Sequence, residues 1–137
     1  MWKVEMGMRE INFRAWNEVE GFLDTAWSID FEHRLVCHRA HNQSDLDDCV
    51  LMQYTGLQDK NGREIYEGDI VKGYIGANNQ EYTGVCEYSL KIAGFKFGNK
   101  KTNSYSKSTV TTARLKNKEV IGNIYENPEL LEVKGNE

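Results

Sequence analysis

Nowhere in this chain of 137 residues does a long window carry apolar residues at the 3.6-residue spacing of an amphipathic helix. Short β-prone runs instead alternate with Gly, Asn and Asp punctuation, which predicts an all-β protein built as a small barrel or packed sheets. Arg9 to Trp16 sets the pattern, with Ile11, Phe13 and Ala15 on one parity and Glu10, Asn12 and Arg14 on the other. That is the two-residue period of a half-buried strand. Further strands are expected at Phe22 to Phe31, Arg34 to Cys37 and Cys49 to Tyr54. Others are expected at Ile70 to Ile75, Tyr82 to Tyr88, Leu90 to Phe97 and Val120 to Tyr125, while Thr109 to Thr112 is β-branched and a poor helix former. Asn61-Gly62 is the dipeptide that most readily takes two positive φ angles, so a tight turn is expected there. His38 to Asp48 is strongly polar and reads as a loop. Asn127 as N-cap and Pro128 at the first helical position predict one closing helical turn.

Length and composition bound the rest. The size suits one domain, and 39% apolar residues exclude wholesale disorder. The longest apolar run, Cys49 to Met52, is far short of the twenty or so residues of a membrane span. The first six residues lack a signal-peptide pattern, so the expected address is cytoplasmic, with no membrane contact. Three cysteines in a chain of this length read as reduced thiols.

The net charge of −4 conceals a segregation. Residues 1–90 balance to −8, residues 91–118 to +8 with no acid at all, and residues 119–137 to −4. Lys91, Lys96, Lys100, Lys101, Lys107, Arg114, Lys116 and Lys118 make up the basic block and are the candidate partner-binding residues. Interleaved with Phe95, Phe97 and Tyr105, they combine phosphate-seeking charge with stacking rings, as small β folds do on single-stranded nucleic acid. Two other accounts stand beside that one. The lysines could line an exposed hairpin whose Ile92, Phe95 and Phe97 belong to the core, guarding an edge strand. Or the basic segment could meet the acidic ninety residues of another copy, giving a homo-oligomer.

Other constellations weigh less. His33, Cys37, His41 and Cys49 supply four metal-ligand types, but without a standard spacing or a Cys-x-x-Cys knuckle, and a zinc-dependent enzyme is the least favoured alternative. A Cys/His nucleophile pair drawn from the same stretch has no oxyanion-binding loop nearby. Asp45, Asp47 and Asp48 lack the Gly and distal Glu of a calcium loop. Gly56, Gly62 and Gly68 read as turn glycines, since no Lys-Ser/Thr follows to make a phosphate cradle. No catalytic residue and no cofactor is expected.

Three segments together resemble the YopX family of phage and prophage proteins. They are Met8 to Trp16 (Met-Arg-Glu-Ile-Asn-Phe-Arg-Ala-Trp), Leu51 to Val71 around Gln53-Tyr54-Thr55-Gly56-Leu57-Gln58-Asp59-Lys60-Asn61-Gly62, and Val120 to Leu131 around Ile121-Gly122-Asn123-Ile124-Tyr125. They come in the family's order and span about residues 8–133. The resemblance implies an all-β fold with an SH3-like small barrel, a host-cytoplasm location and a possible oligomer, and it brings no catalytic residues. Residues 1–7 precede the usual start, so Met8 stands as an alternative initiator. The expected organisation is an extension at 1–7, an N-terminal β arm at 8–48, the barrel at 49–133 and a tail at 134–137. Gly56, Gly62 and Gly68 then permit turns, Asp69 bonds the backbone of its turn, and Asn127-Pro128 caps the last helical turn. The function expected is a non-enzymatic binding or assembly module whose contacts with a phage or host protein run through residues 91–118. Single-stranded nucleic-acid binding is the alternative.

Overall fold

β-Branched and aromatic residues dominate the runs between turns, and the described residues use them as eleven strands and two short 3-10 turns. A computed structural model describes residues 7, 9–39, 42–99 and 109–131. The strands are β1 (Phe13–Asn17), β2 (Phe22–Asp30), β3 (Leu35–His38), β4 (Gln43–Asp45), β5 (Cys49–Gln58), β6 (Glu64–Tyr66), β7 (Asp69–Ile75), β8 (Gln80–Ser89), β9 (Gly94–Gly98), β10 (Thr109–Thr111) and β11 (Lys116–Asn123). They form two antiparallel sheets, ordered β4-β3-β2-β1-β5-β6 and β10-β9-β8-β7-β11. The chain divides into two compact units between Gly56 and Leu57, within β5.

In the first unit β1 lies between β2 and β5, with Ala15 opposite Asp24 on one side and Leu51 on the other. One face of this sheet gathers Ala15, Val36 and Leu46, with Ala26, Ile29, Cys49 and Leu51 packed around them. Arg14 and Ala15 are both buried, so β1 is covered on both faces rather than half-buried as its alternation predicts. The polar stretch expected to be a loop contains β4 and a 3-10 turn at Leu46–Asp48 instead. Asp45 caps that turn by accepting the Asp47 amide, and Leu46 drops into the core.

In the second unit a meander, β7 to β10, is followed by β11, which returns to pair with β7. Its core is Ile65, Val71, Cys86, Phe97, Val110, Leu115 and Val120. Each large apolar side chain fully buried in this way contributes about 1.5–3 kcal/mol. The sheet is open, with β10 and β11 as its two edges among the described residues. Of the small barrel and the packed sheets that the sequence allows, the described residues form the sheet architecture without closure: the four-residue link from β10 to β11 turns sharply, with the Arg114 amide on the Thr111 carbonyl, and β11 pairs with β7 rather than β10.

The turns are held by side chains. Gly62 takes the positive φ of the Asn61-Gly62 turn, at +84°, but Asn61 does not, because Asp59 accepts the amides of both Asn61 and Arg63 and sets the loop itself. Asp69 accepts the Tyr66 amide at 2.8 Å, as the turn reading predicts. Pro128–Leu131 is the closing 3-10 turn. Asn127 does not cap it with its side chain; its Oδ1 reaches back to the Asn123 amide at 3.2 Å.

Candidate functional site

The basic block is where the sequence points, and the described part of it is largely occupied by its own fold. Lys96 and Glu87 face each other across the β8–β9 ladder, with Nζ and Oε1 3.5 Å apart. Lys116 donates to the Gly76 carbonyl and to Asn79 Oδ1, both at 3.1 Å, and so ties β11 to the β7–β8 turn. Lys118 donates to the Leu115 carbonyl at 2.7 Å. Lys91 and Arg114 are exposed. Lys100, Lys101, Lys107 and Tyr105 lie outside the described residues. The rings meant for stacking are spent elsewhere: Phe97 is fully buried in the core, and half-buried Phe95 packs against it, edge-on to Tyr88.

What this region does present is apolar. Leu90 to Ala93 form the tip of the β8–β9 hairpin, not the strand start that the sequence predicts. Leu90 is 91% exposed, Ile92 53% and Tyr88 46%, with Lys91 between the two aliphatic residues. Ile92 therefore does not belong to the core, as one account of the sequence had it. The tip is also bent into shape at a cost. Ala93 has φ +52°, a left-handed conformation that disfavours a residue with a Cβ, and the Ile92 amide leans on Ser89 Oγ at 3.4 Å.

The histidines and cysteines do not gather. His33 is exposed, and its Nδ1 lies 2.8 Å from Asp30, whose carboxyl is held below its ordinary value mainly by the His33 amide. Cys37 and Cys49 are half-buried free thiols, and His41 lies outside the described residues. No group of three or more potential ligands comes together among the described residues. His38 is the histidine the sequence passes over. It is 1% exposed, with Nε2 2.7 Å from Ser44 Oγ, which also accepts from Asn17 Nδ2 at 3.0 Å.

Ser44 in turn hydrogen-bonds to the Cys49 side chain. Burial pushes the Cys49 thiol up, and the nearby Asp48, Asp45 and Glu18 push the same way. A serine hydroxyl has one proton and two acceptor sites. Asn17 donates to Ser44 Oγ, and the buried His38 Nδ1 has no hydrogen-bond partner among the described residues. A thiol nucleophile is activated by an adjacent base or by a depressed pKa. The Cys49 thiol is pushed up rather than down. A cleft of about 550 Å³ beside this network is lined by Glu20, Phe22, Asp24, Asn42, Gln43 and Ser44.

Two open antiparallel sheets with side-chain-pinned turns and an exposed apolar hairpin tip define a small all-β protein. No described helix is long and apolar enough to cross a membrane. The chain belongs to the YopX family, whose model, described as YopX protein, matches residues 12–132. Among solved structures, the crystal structure of protein EF1440 from Enterococcus faecalis is similar, with a TM-score of 0.63 at 25% identity over 90% of this chain and 99% of that one. No curated protein matches.

Proposed function

We propose that the protein is a non-enzymatic binding module that contacts a protein partner through the β8–β9 hairpin tip, within a phage- or prophage-encoded setting in the host cytoplasm. The observation that carries this is the 91% exposure of Leu90 between Tyr88 and Ile92. A large aliphatic side chain at the apex of a hairpin gives up burial energy, and contiguous apolar exposure is characteristic of contact surfaces. Lys91 adds a charge that favours an acidic partner. The basic 91–118 segment thus acts through its first residues, while Lys96, Lys116 and Lys118 serve the fold.

The test is affinity purification from bacterial cells with the wild-type protein and with L90D and I92D, each with and without nuclease. The expected result is a set of bound proteins that survives nuclease and is lost with either variant. Binding that disappears with nuclease, or a salt-sensitive gel shift on single-stranded nucleic acid, would transfer the function to the alternative. Capture unchanged in both variants would overturn the assignment of the tip.

A further inference from the structure

The buried polar network of the first unit organises the cleft beside it. β2 and β3 separate β1 from β4 in the sheet, yet Asn17 of β1 donates to Ser44 Oγ of β4 at 3.0 Å. The sheet therefore curls until these two strands meet across its concave face. The same Asn17, 2% exposed, accepts the amides of Val19 and Glu20 on its Oδ1, at 2.9 and 2.8 Å. One buried side chain thus fixes the turn that carries Glu20 against the strand that carries Ser44, and both line the cleft. His38 stands behind the same lining: its Nε2 is 2.7 Å from Ser44 Oγ, and its ring meets the Phe22 ring edge-on at 5.2 Å. Its Nδ1 is buried with no hydrogen-bond partner among the described residues. A core built for stability alone would place apolar side chains here, and departures from that rule gather at functional sites.

The lining defines the ligand chemistry. Glu20 and Asp24 supply carboxylates, Asn42 and Gln43 amide groups and Phe22 a half-buried ring, and no described cationic side chain lines the cleft. Glu20 makes no ion pair with a described residue. Asp24 accepts the Thr25 amide at 2.8 Å. Arg39 approaches it from the rim, with Nε 3.9 Å from Asp24 Oδ1 and Nη2 on Thr25 Oγ1 at 2.8 Å. A charge-assisted hydrogen bond is about 2.7–2.9 Å long, so Arg39 leaves Asp24 able to bind a second cation. Arg34, on the β2–β3 turn, is held by Asp47 at 2.6 Å. Besides burial, Asp48, Asp45 and Glu18 push up the Cys49 thiol that bonds to Ser44, so the field behind the cleft is negative too. An anion finds no partner in such a lining. No three carboxylates, imidazoles or thiols gather among the described residues to hold a metal ion.

We infer that the cleft binds a small organic cation, an ammonium or guanidinium group on an aliphatic stem. Glu20 and Asp24 receive the charge, the amide oxygens of Asn42 and Gln43 accept further N–H groups, and Phe22 packs against the stem. The cleft, about 550 Å³, lies in the size range of small-molecule sites. A free diamine and the side chain of a lysine or arginine in another protein share this chemistry. The site lies wholly in the first unit and the hairpin tip in the second, so either assignment can fail without the other.

The experiment is a titration of the isotope-labelled full chain followed by heteronuclear NMR, with agmatine as the probe because it carries both cationic groups on one short stem. The expected result is saturable shifts confined to the β1–β2 turn, β2 and β4. E20Q and D24N should each weaken binding about tenfold, the loss of one charge-assisted hydrogen bond. E32Q removes an exposed carboxylate of the same unit outside the cleft and should leave the affinity unchanged. Asn17 is a positioning residue that acts through Glu20, so N17A should weaken agmatine in the wild type and add little in E20Q. Circular dichroism verifies the fold of each variant, and the exposed Glu20 side chain carries the test if N17A does not fold. Putrescine and N-acetyl-lysine methylamide separate the two sources: tighter binding of the first supports a free diamine, and of the second a protein side chain. No shifts at agmatine concentrations up to about 10 mM would overturn the inference. So would equal losses in E20Q and E32Q, which mark a diffuse acidic surface, or glucose, phosphate or calcium binding as well as agmatine does.

Discussion

The Asp59 carboxylate binds the backbone of Val120 across 61 positions of sequence: its Oδ2 accepts the Val120 amide at 2.9 Å while its Oδ1 accepts those of Asn61 and Arg63. The same turn donates the Lys60 amide to the Lys118 carbonyl at 2.7 Å. One buried side chain thus joins the β5–β6 turn to β11 and satisfies three backbone amides.

Replacing Asp59 by Asn keeps the shape but turns one acceptor into a donor facing an amide. The cost of the mismatched buried group is about 2–3 kcal/mol, read by urea denaturation. Its pH dependence has a definite sign. Burial alone would raise the Asp59 carboxyl, but the amides of Val120, Arg63 and Asn61, with the charge of Arg63, outweigh it and hold the group below its ordinary value. The stabilisation is therefore complete above the unfolded aspartate value of about 3.9 and is lost as pH falls through the lower folded value. Wild type should weaken over that acid window, and D59N should lack this part of the loss.

Gly122 and Asn127 form a second fixed relationship. A Cβ on Gly122 would lie 2.6 Å from Asn127 Oδ1 and 2.9 Å from Leu130 Cδ1, so G122A should cost about 1–3 kcal/mol by overpacking. N127A should cost about 1 kcal/mol through the lost bond to the Asn123 amide. In a double-mutant cycle the pair should cost less than the sum, because removing the amide group makes room for the new carbon. Additive losses would show that the two residues act independently.

These pinned turns explain how much of the molecule was legible. The strands at 22–30, 35–38, 49–58 and 69–75 follow from β-branched and aromatic runs between breakers, and Asp69 declares its turn. The family signatures are structural for the same reason: Asp59, Asp69, Gly122 and Asn127 act on their own backbone. The pattern could not show that Arg14 and Ala15 are both buried, since alternation assumes one wet face. Nor could it show that the β8–β9 tip starts at Leu90, because an exposed leucine looks like a core leucine in sequence. Charge counting found the basic segment but not which lysines it had already paired, a matter of register: Lys96 meets Glu87 only because β8 and β9 align them. The network of Asn17, His38, Ser44 and Cys49 was hidden too, as its members come from four strands.

That network predicts an unreactive thiol. With the Cys49 thiol pushed up by burial and its acidic neighbours, iodoacetamide labelling followed by peptide mass spectrometry should reach half-maximal rate above the ordinary cysteine value of about 8.5. Ser44 supplies the opposing hydrogen bond, so S44A should move the midpoint further up and slow labelling at mildly alkaline pH. A midpoint below neutrality would instead mark Cys49 as an activated nucleophile and reopen the Cys/His pairing.

Ala93 separates the demands of folding from those of contact. Its φ of +52° costs an L-residue about 1–2 kcal/mol, which glycine does not incur, though glycine also loses more backbone entropy on folding. The balance favours A93G by about 0.5–1 kcal/mol, a rise of roughly 2–5 °C in melting temperature if the unit unfolds as a small cooperative domain. If the strained alanine is there to hold Leu90 and Ile92 in a fixed presentation, the same substitution should weaken capture of the protein partner, because a looser tip must be ordered on binding. Stability and association would then move in opposite directions for one mutation far from any core contact. Calorimetry and affinity purification with the same preparation make the comparison. A stabilised A93G with unchanged association would show that the tip needs its side chains but not its rigidity.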